Sequence, residues 1–200
     1  MMRRLVLASV ALLIGGGPAC AHIVSSRLGD FYGGALHPLT GLADAILWLA
    51  LGMVAAAQPA RWARWLVLVF PAGLLAGLGV GLASGWTADP VTIDAALMVT
   101  LGLLTVAAVR LPGPLLLALA FALAAFRGVA NASGVEAGTD ATLFACGLAT
   151  AGYASITLVT ALGSAFRRSG VGWQAIAVRA GGSWIAAIGL MVGGYALATG

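Results

Sequence analysis

Residues 37–56 read HPLTGLADAILWLALGMVAA, a short polar start followed by a long apolar run. Asp44 is the one acidic residue in this stretch. A helix needs about 20 mostly apolar residues to cross the hydrocarbon core of a bilayer. The stretch therefore predicts a membrane span, which we place at residues 38–57.

Five further apolar runs follow, separated by short breaks rich in proline, glycine and small polar residues, which are typical of turns. The chain of 200 residues is 62% hydrophobic and 8% charged. Soluble domains are about 25% charged, so most of this surface must face lipid. We predict an all-α membrane protein, a six-transmembrane-helix bundle, with spans at 38–57, 64–84, 90–109, 113–131, 140–165 and 172–197.

The N-terminus has the three parts of a secretory signal peptide: two arginines, an apolar run and the small-residue motif Ala-Cys-Ala at 19–21. Cleavage after residue 21 would make His22 the mature N-terminus and leave Cys146 as the single thiol, so no disulfide is expected. A lipoprotein cut before Cys20 and an uncleaved first helix stay open as alternatives. With cleavage, the chain divides into a signal peptide at 1–21, a periplasmic N-terminal segment at 22–37 and a six-helix transmembrane domain at 38–200.

The charges of the connecting loops agree with the signal peptide in placing residue 22 on the outer side of the membrane. Loops on the predicted cytoplasmic side carry most of the arginines, and acids dominate the other side, as the positive-inside rule expects. We predict a bacterial inner-membrane protein with both mature termini in the periplasm. The net charge of +4 follows from this topology, and no nucleic-acid partner is expected. The cytoplasmic arginines are Arg61, Arg64, Arg110, Arg167 and Arg168.

The second predicted span carries a glycine at every fourth position, from Gly73 to Gly85. Small residues allow membrane helices to approach each other closely. The stripe predicts either a static helix contact or a seam at which helices move.

Ionisable residues inside predicted spans are costly and mark candidate sites. The topology places Asp44, Asp94 and Arg127 in the outer leaflet, with Asn131 one turn above Arg127, whereas Arg179 can reach the cytoplasmic surface. We predict an intramembrane polar cluster in which Arg127 pairs with one of the two carboxylates. Such a pair either fixes the helix arrangement or forms a substrate or ion site.

The two histidines of the chain, His22 and His37, are candidate metal ligands. A cleaved His22 would offer an amine and an imidazole, and His37 a third nitrogen, a set that suits Cu(II) or Ni(II). Asp30 could add an oxygen. Because Pro38 disfavours helical geometry at the residue before it, we expect His37 at the N-cap of the first span. Asp44 then lies about 10 Å from His37 along the helix, which is too far for the two residues to share one ion. The alternative is that His22 is frayed and His37 only caps the helix.

The stretch at 37–56 also resembles the first-span signature of the HupE/UreJ family, membrane proteins associated with nickel or cobalt uptake. The family pattern His-Pro-Leu-x-Gly-Leu-Asp-His departs here at its last two positions, which are Ala43 and Asp44. The segment FRGVANASGVE (126–136) stands where the family has a histidine-rich segment, and Arg127, Val129 and Asn131 align with three of those histidines. The resemblance implies a metal-uptake function in a member that lacks most of the family histidines.

Three functions are consistent with these features. The first, which the resemblance implies, is a transition-metal (nickel or cobalt) permease or an accessory subunit. The second is a non-transporting scaffold or partner subunit whose degenerate metal site is held by an Arg–Asp pair. The third is a carrier of anions or small polar solutes that uses Arg127. No nucleophile–base pair, phosphate loop or Cys/His cluster indicates an enzyme. No resident cofactor is assigned; a divalent transition metal (Ni, Co or Cu) is the candidate ligand. Besides the lipid bilayer, a homo-oligomer or a membrane partner subunit stays open.

Overall fold

The computed structural model describes residues 18–85, 90–168 and 172–199, with side chains from Gly29 onward. All regular secondary structure in these ranges is helical, and a short 3₁₀ turn at Ala132–Gly134 follows the fifth helix. The predicted all-α fold class is therefore confirmed. The helices are α1 (Pro18–Thr40), α2 (Leu42–Ala56), α3 (Ala60–Ser84), α4 (Val91–Ala107), α5 (Gly113–Asn131), α6 (Ala141–Arg168) and α7 (Gly172–Thr199).

Four of these helices are long and apolar enough to cross a membrane: α3, α6, α7, and α5 taken together with its 3₁₀ turn. Residues Gly29–Thr40 of α1 and the whole of α2 pass the same test as a pair bent by 75°, which raises the number of candidate spans to five. The remaining apolar helix, α4, has 17 residues and is shorter than a typical span. The chain is a multi-pass membrane protein, and the number of six spans stays a prediction.

The start of the first predicted span is corrected by the structure. We expected a helix from Pro38 with His37 at its N-cap, but α1 already runs from Pro18 to Thr40 and includes Pro38. The break comes at Gly41, whose extended backbone (φ −77°, ψ 110°) makes it the N-cap of α2. Residues 1–17 of the predicted signal peptide lie outside the described residues, and so does the side chain of His22.

Close packing on α6 explains why α1 continues through a proline. A Cβ at Gly34 would meet the backbone of Phe144, and a Cβ at Gly147 would meet the carbonyl oxygen of Phe31. The two helices therefore touch backbone to backbone, in antiparallel directions. The residue before a proline locally prefers an extended backbone. The packing of α1 on α6 outweighs this preference, so residues 31–38 stay helical.

Helix α2 lies at the centre of the bundle. Leu47, Trp48 and Leu51 are almost completely buried, and the Trp48 ring packs edge-on against Phe70 of α3 at 5.4 Å between ring centroids. Around α2, contacts at the glycines show that α3 and α5 run in the same direction, whereas α4 and α7 run in opposite directions. The charged residue that α2 carries into this centre is Asp44.

The loop between α4 and α5 is held by one buried side chain, Gln58. Its Nε2 donates to the carbonyl oxygens of Val54 (3.1 Å) and Val109 (2.9 Å), and its Oε1 accepts the N–H of Leu111 at 3.0 Å. The amide therefore pairs with the backbone of Val109 and Leu111 in the loop and gives a second donor to the Val54 carbonyl, which also accepts the N–H of Ala57. It fixes the predicted cytoplasmic end of the bundle, opposite the polar cluster.

Candidate functional site

Arg127 lies near the C-terminal end of α5 and joins three helices at the predicted outer end of the bundle. Its Nε and Nη2 donate to the two carboxylate oxygens of Asp44 on α2, both at 2.8 Å, and its Nη1 donates to Oδ2 of Asp94 on α4 at 2.7 Å. All three side chains are buried, with exposures of 6% or less. The sequence allowed a pair with either carboxylate, and the structure has Arg127 bound to both.

Asn131 completes this group one helical turn after Arg127. Its Nδ2 donates to Oδ2 of Asp44 at 3.1 Å and to the backbone carbonyl of Arg127 at 2.8 Å. Both partners are acceptors, which fixes the orientation of the amide. Its Oδ1 is buried and has no hydrogen-bond partner among the described residues. We call Asp44, Asp94, Arg127 and Asn131 the outer polar cluster.

A cavity of about 680 Å³ opens above the outer polar cluster. Asp44, Arg127 and Asn131 line its inner part, and the ends of α3 and α5, the start of α4 and the α1–α2 break supply the rest of its wall. A volume of this size lies within the range of small-molecule sites in proteins. The further lining residues are His37, Thr40, Gly41, Gly81, Leu82, Gly85, Pro90, Ile93, Phe126, Val129, Ala130, Ala132 and Ser133.

His37 lines the same cavity and is exposed. Its ring packs close to Gly134 of the 3₁₀ turn, where an added Cβ would lie 3.0 Å from Nε2, and its centroid is 6.1 Å from that of Phe144. The expectation that His37 and Asp44 are too far apart to share a site assumed one straight helix. The chain bends by 75° at Gly41, so that assumption does not hold, and both side chains border one cavity.

The three predicted metal ligands are not gathered by the part of the chain that is described. Asp30 and His37 both lie on α1, and seven residues of helix separate them by about 10 Å. The Asp30 carboxylate accepts the N–H of Asp140, at 2.9 Å, near the start of α6. Among the described side chains, no group of three His, Cys, Asp or Glu residues could hold a metal ion. His22 is not among these side chains, and a site that includes it stays a prediction.

The outer polar cluster brings two carboxylates and one guanidinium together in a buried site. Arg127 forms an ion pair with Asp44 and another with Asp94. Charges inside a membrane protein are tolerated when they pair or face a water-filled cavity. The cluster has both conditions, because its charges are paired and the cavity opens above it, so it can hold the three helices together.

The cavity and the break at Gly41 are the two features of the site that sequence reasoning missed. A signal for the break was present, because Pro38 and Gly41 stand three residues apart within one apolar stretch. Proline and glycine are the residues at which membrane helices most often bend or break. The cavity had no such signal, since four separate segments of the chain form its wall.

Comparisons with known proteins agree with the resemblance seen in the first-span motif. No match was found among curated proteins or among solved structures. The family model described as HupE / UreJ protein matches residues 10–192, which is nearly the whole chain. The chain therefore belongs to the HupE/UreJ family.

Proposed function

We propose that this protein takes part in the uptake of a divalent transition-metal ion, nickel or cobalt, across the bacterial inner membrane, as a permease or as an accessory subunit. The observation that carries the proposal is the cavity, which has the histidine His37 at its rim and the carboxylate of Asp44 at its inner end. Family membership and the apolar helices support a membrane protein associated with metal uptake. The ion is the substrate of this site and not a resident cofactor.

The proposed direction follows from the charge bias of the loops. The cavity lies at the end of the bundle opposite the arginine-rich loops, so by the positive-inside rule it opens to the periplasm. With six spans and a cleaved signal peptide, both mature termini lie on the same side. An ion would then meet His37 first, because its imidazole is the exposed nitrogen ligand of the cavity wall.

The outer polar cluster limits how far a divalent ion can enter. Arg127 occupies the space between Asp44 and Asp94, and its guanidinium repels a cation at close range. A metal ion can therefore bind at the level of His37 while the cluster is intact. Passage beyond this level requires Arg127 to release at least one carboxylate.

A second function, a non-transporting scaffold or partner subunit, is favoured by one specific observation. Arg127 makes three short hydrogen bonds to two carboxylates, so the inner end of the cavity is closed by an ion pair. In this alternative the metal site has degenerated, and the Arg–Asp pair holds the bundle in one arrangement. The two functions differ in whether metal binds and crosses.

Metal binding by the purified protein, with its mature N-terminus established, separates the two proposals. We expect about one Ni²⁺ or Co²⁺ per chain by titration calorimetry and elemental analysis. We expect His37→Ala to weaken binding by about tenfold or more, because a ligand is lost. A similar loss in His22→Ala would bring the N-terminal residue into the site.

Cys146→Ser is the matched control for adventitious binding, since this exposed thiol of α6 is, among the described side chains outside the cavity, the one most able to bind such metals. The control should bind metal as the wild type does. Failure to bind Ni, Co, Cu or Zn stoichiometrically when each is offered would argue against metal uptake and for the scaffold.

A further inference from the structure

The first turns of α3 present two arginines and two apolar side chains on one exposed face. Arg64, Trp65 and Leu68 follow Arg61 by three, four and seven residues, which is the spacing of a single helix face. These four exposed side chains line a surface groove of about 300 Å³. The groove lies at the predicted cytoplasmic end of the bundle, and neither of the functions proposed above uses it.

The position of Arg61 is restricted by its neighbour Trp62. The guanidinium carbon of Arg61 lies 5.0 Å from the centroid of the Trp62 ring, which is a cation–π contact. The indole packs directly on Gly113 at the start of α5, where an added Cβ would collide with the ring atoms. The ring is therefore held by a second helix, and it limits the positions that the Arg61 side chain can take.

The positive charge of the groove has no acidic partner nearby. The chain has six acidic residues, and none of them occurs between Asp44 and Asp89. Within the described part of the chain, neither Arg61 nor Arg64 forms an ion pair. Both arginines also lie near the N-terminal end of α3, where the helix dipole is positive and disfavours further cations. An anion between the two guanidinium groups would relieve this repulsion.

The length of the groove indicates an anion that is attached to an apolar chain. Leu68 lies about 10 Å beyond Arg61 along the helix, in the direction in which α3 enters the hydrocarbon core. Trp65 and Leu68 are 58% and 56% exposed, so their surfaces are open to an apolar partner. Tryptophan is typical of the boundary between headgroups and hydrocarbon. The groove therefore offers charge at the depth of lipid headgroups and an apolar wall at the depth of acyl chains.

We infer that this groove binds an anionic phospholipid of the cytoplasmic leaflet, with the headgroup phosphate between Arg61 and Arg64 and an acyl chain along Trp65 and Leu68. The planar guanidinium of arginine donates two parallel hydrogen bonds to phosphate oxygens. Basic pockets on the cytoplasmic side of membrane proteins bind acidic headgroups in this way. The inference does not depend on metal uptake, since it holds equally for a permease and for a scaffold.

The inference is tested by native mass spectrometry of the purified full chain in detergent. The protein is titrated with phosphatidylglycerol or with phosphatidylcholine of the same acyl chains. We expect the first phosphatidylglycerol to bind about tenfold more tightly than phosphatidylcholine, because its net negative charge faces two arginines. Inorganic phosphate at millimolar concentration should leave the lipid bound, because it has no acyl chain to fill the apolar part of the groove.

The double variant Arg61→Gln and Arg64→Gln should lose the preference for phosphatidylglycerol. The matched control is Arg167→Gln with Arg168→Gln, which removes the same charge from the same predicted side but outside the groove, and it should keep the preference. Both groove arginines are exposed, so without added lipid the first variant should unfold at the wild-type temperature. If it does not fold, Arg64→Gln alone serves as the second variant and should weaken the preference.

Four results would overturn the inference. The first is equal affinity of the wild type for the two lipids. The second is a preference that the Arg61 and Arg64 variants leave unchanged, which would put the lipid elsewhere. The third is an equal loss in the Arg167 and Arg168 variant, which would show a general attraction of charge and not a site. The fourth is displacement of the lipid by inorganic phosphate, which would show a site for small anions.

Discussion

Replacing Arg127 with methionine is expected to lower the free energy of unfolding by about 3–5 kcal/mol. The substitution keeps a long apolar side chain but leaves the carboxylates of Asp44 and Asp94 buried without their counter-charge. For a chain of this size, the loss corresponds to a decrease in melting temperature of about 6–20 °C. Thermal unfolding in detergent, followed by circular dichroism, measures it.

Removing the carboxylates together with the arginine should restore most of this stability. In the triple variant Arg127→Met, Asp44→Asn and Asp94→Asn, no buried charge is left unpaired, and neutral replacement of a buried ion pair is often close to neutral in energy. Arg64→Met, at an exposed arginine of α3, is the matched control and should change stability by less than about 0.5 kcal/mol.

A triple variant as unstable as Arg127→Met would contradict this explanation. It would mean that the arginine stabilises the bundle through the packing of its side chain and not through charge. If Arg64→Met were as destabilising as Arg127→Met, the loss would not be specific to the buried ion pairs, which would also contradict the explanation.

Gly77→Ala is expected to destabilise the contact between α3 and α5, by about 1–3 kcal/mol. A Cβ at Gly77 would meet the backbone carbonyl of Ala125, and across the same contact a Cβ at Gly128 would meet the carbonyl oxygen of Leu74. Neither neighbour is a flexible side-chain end, so the helices themselves would have to separate. Close approach at small residues allows the van der Waals packing that contributes to association between membrane helices.

Gly79→Ala on the same helix is the control for Gly77→Ala. No atom lies within 4 Å of an added Cβ at Gly79, so the substitution should stabilise α3 by about 0.5–1 kcal/mol through the higher helix propensity of alanine. Unfolding curves of the two variants should therefore shift in opposite directions. Shifts in the same direction would show that the glycine stripe does not act through close packing.

The positions of the charged residues could be predicted from the sequence because few arrangements satisfy them. Asp44, Asp94 and Arg127 lie at similar depth under the predicted topology, and charges inside a membrane protein must pair or reach water. The structure brings them together with Asn131. The helical class was predictable for a related reason, since backbone groups in lipid must find partners within the helix itself.

The geometry around Gly41 could not be predicted in the same way. Local preference placed a helix start at Pro38, whereas the contact of Gly34 with the backbone of α6 keeps α1 helical to Thr40. This contact joins residues more than 100 positions apart, and no local pattern encodes it. The shared cavity of His37 and Asp44 follows from the resulting bend.

The glycine stripe shows a third situation, in which the sequence indicated a feature but left its role open. The stripe predicted close helix contact, and Gly73, Gly77 and Gly81 each face α5 at a distance that leaves no room for a Cβ. Whether this contact is static or moves depends on the energy of alternative arrangements, which a pattern of small residues does not determine.

The most direct test of the account is metal uptake by the purified protein in proteoliposomes that contain a fluorescent Ni²⁺ chelator. We expect Ni²⁺ or Co²⁺ to enter faster than into protein-free liposomes, and the rate to fall in His37→Ala. Folded wild-type protein that gives the protein-free rate with both ions would contradict transport, and the Arg127–Asp44–Asp94 ion pair would then stand as the core of a closed scaffold.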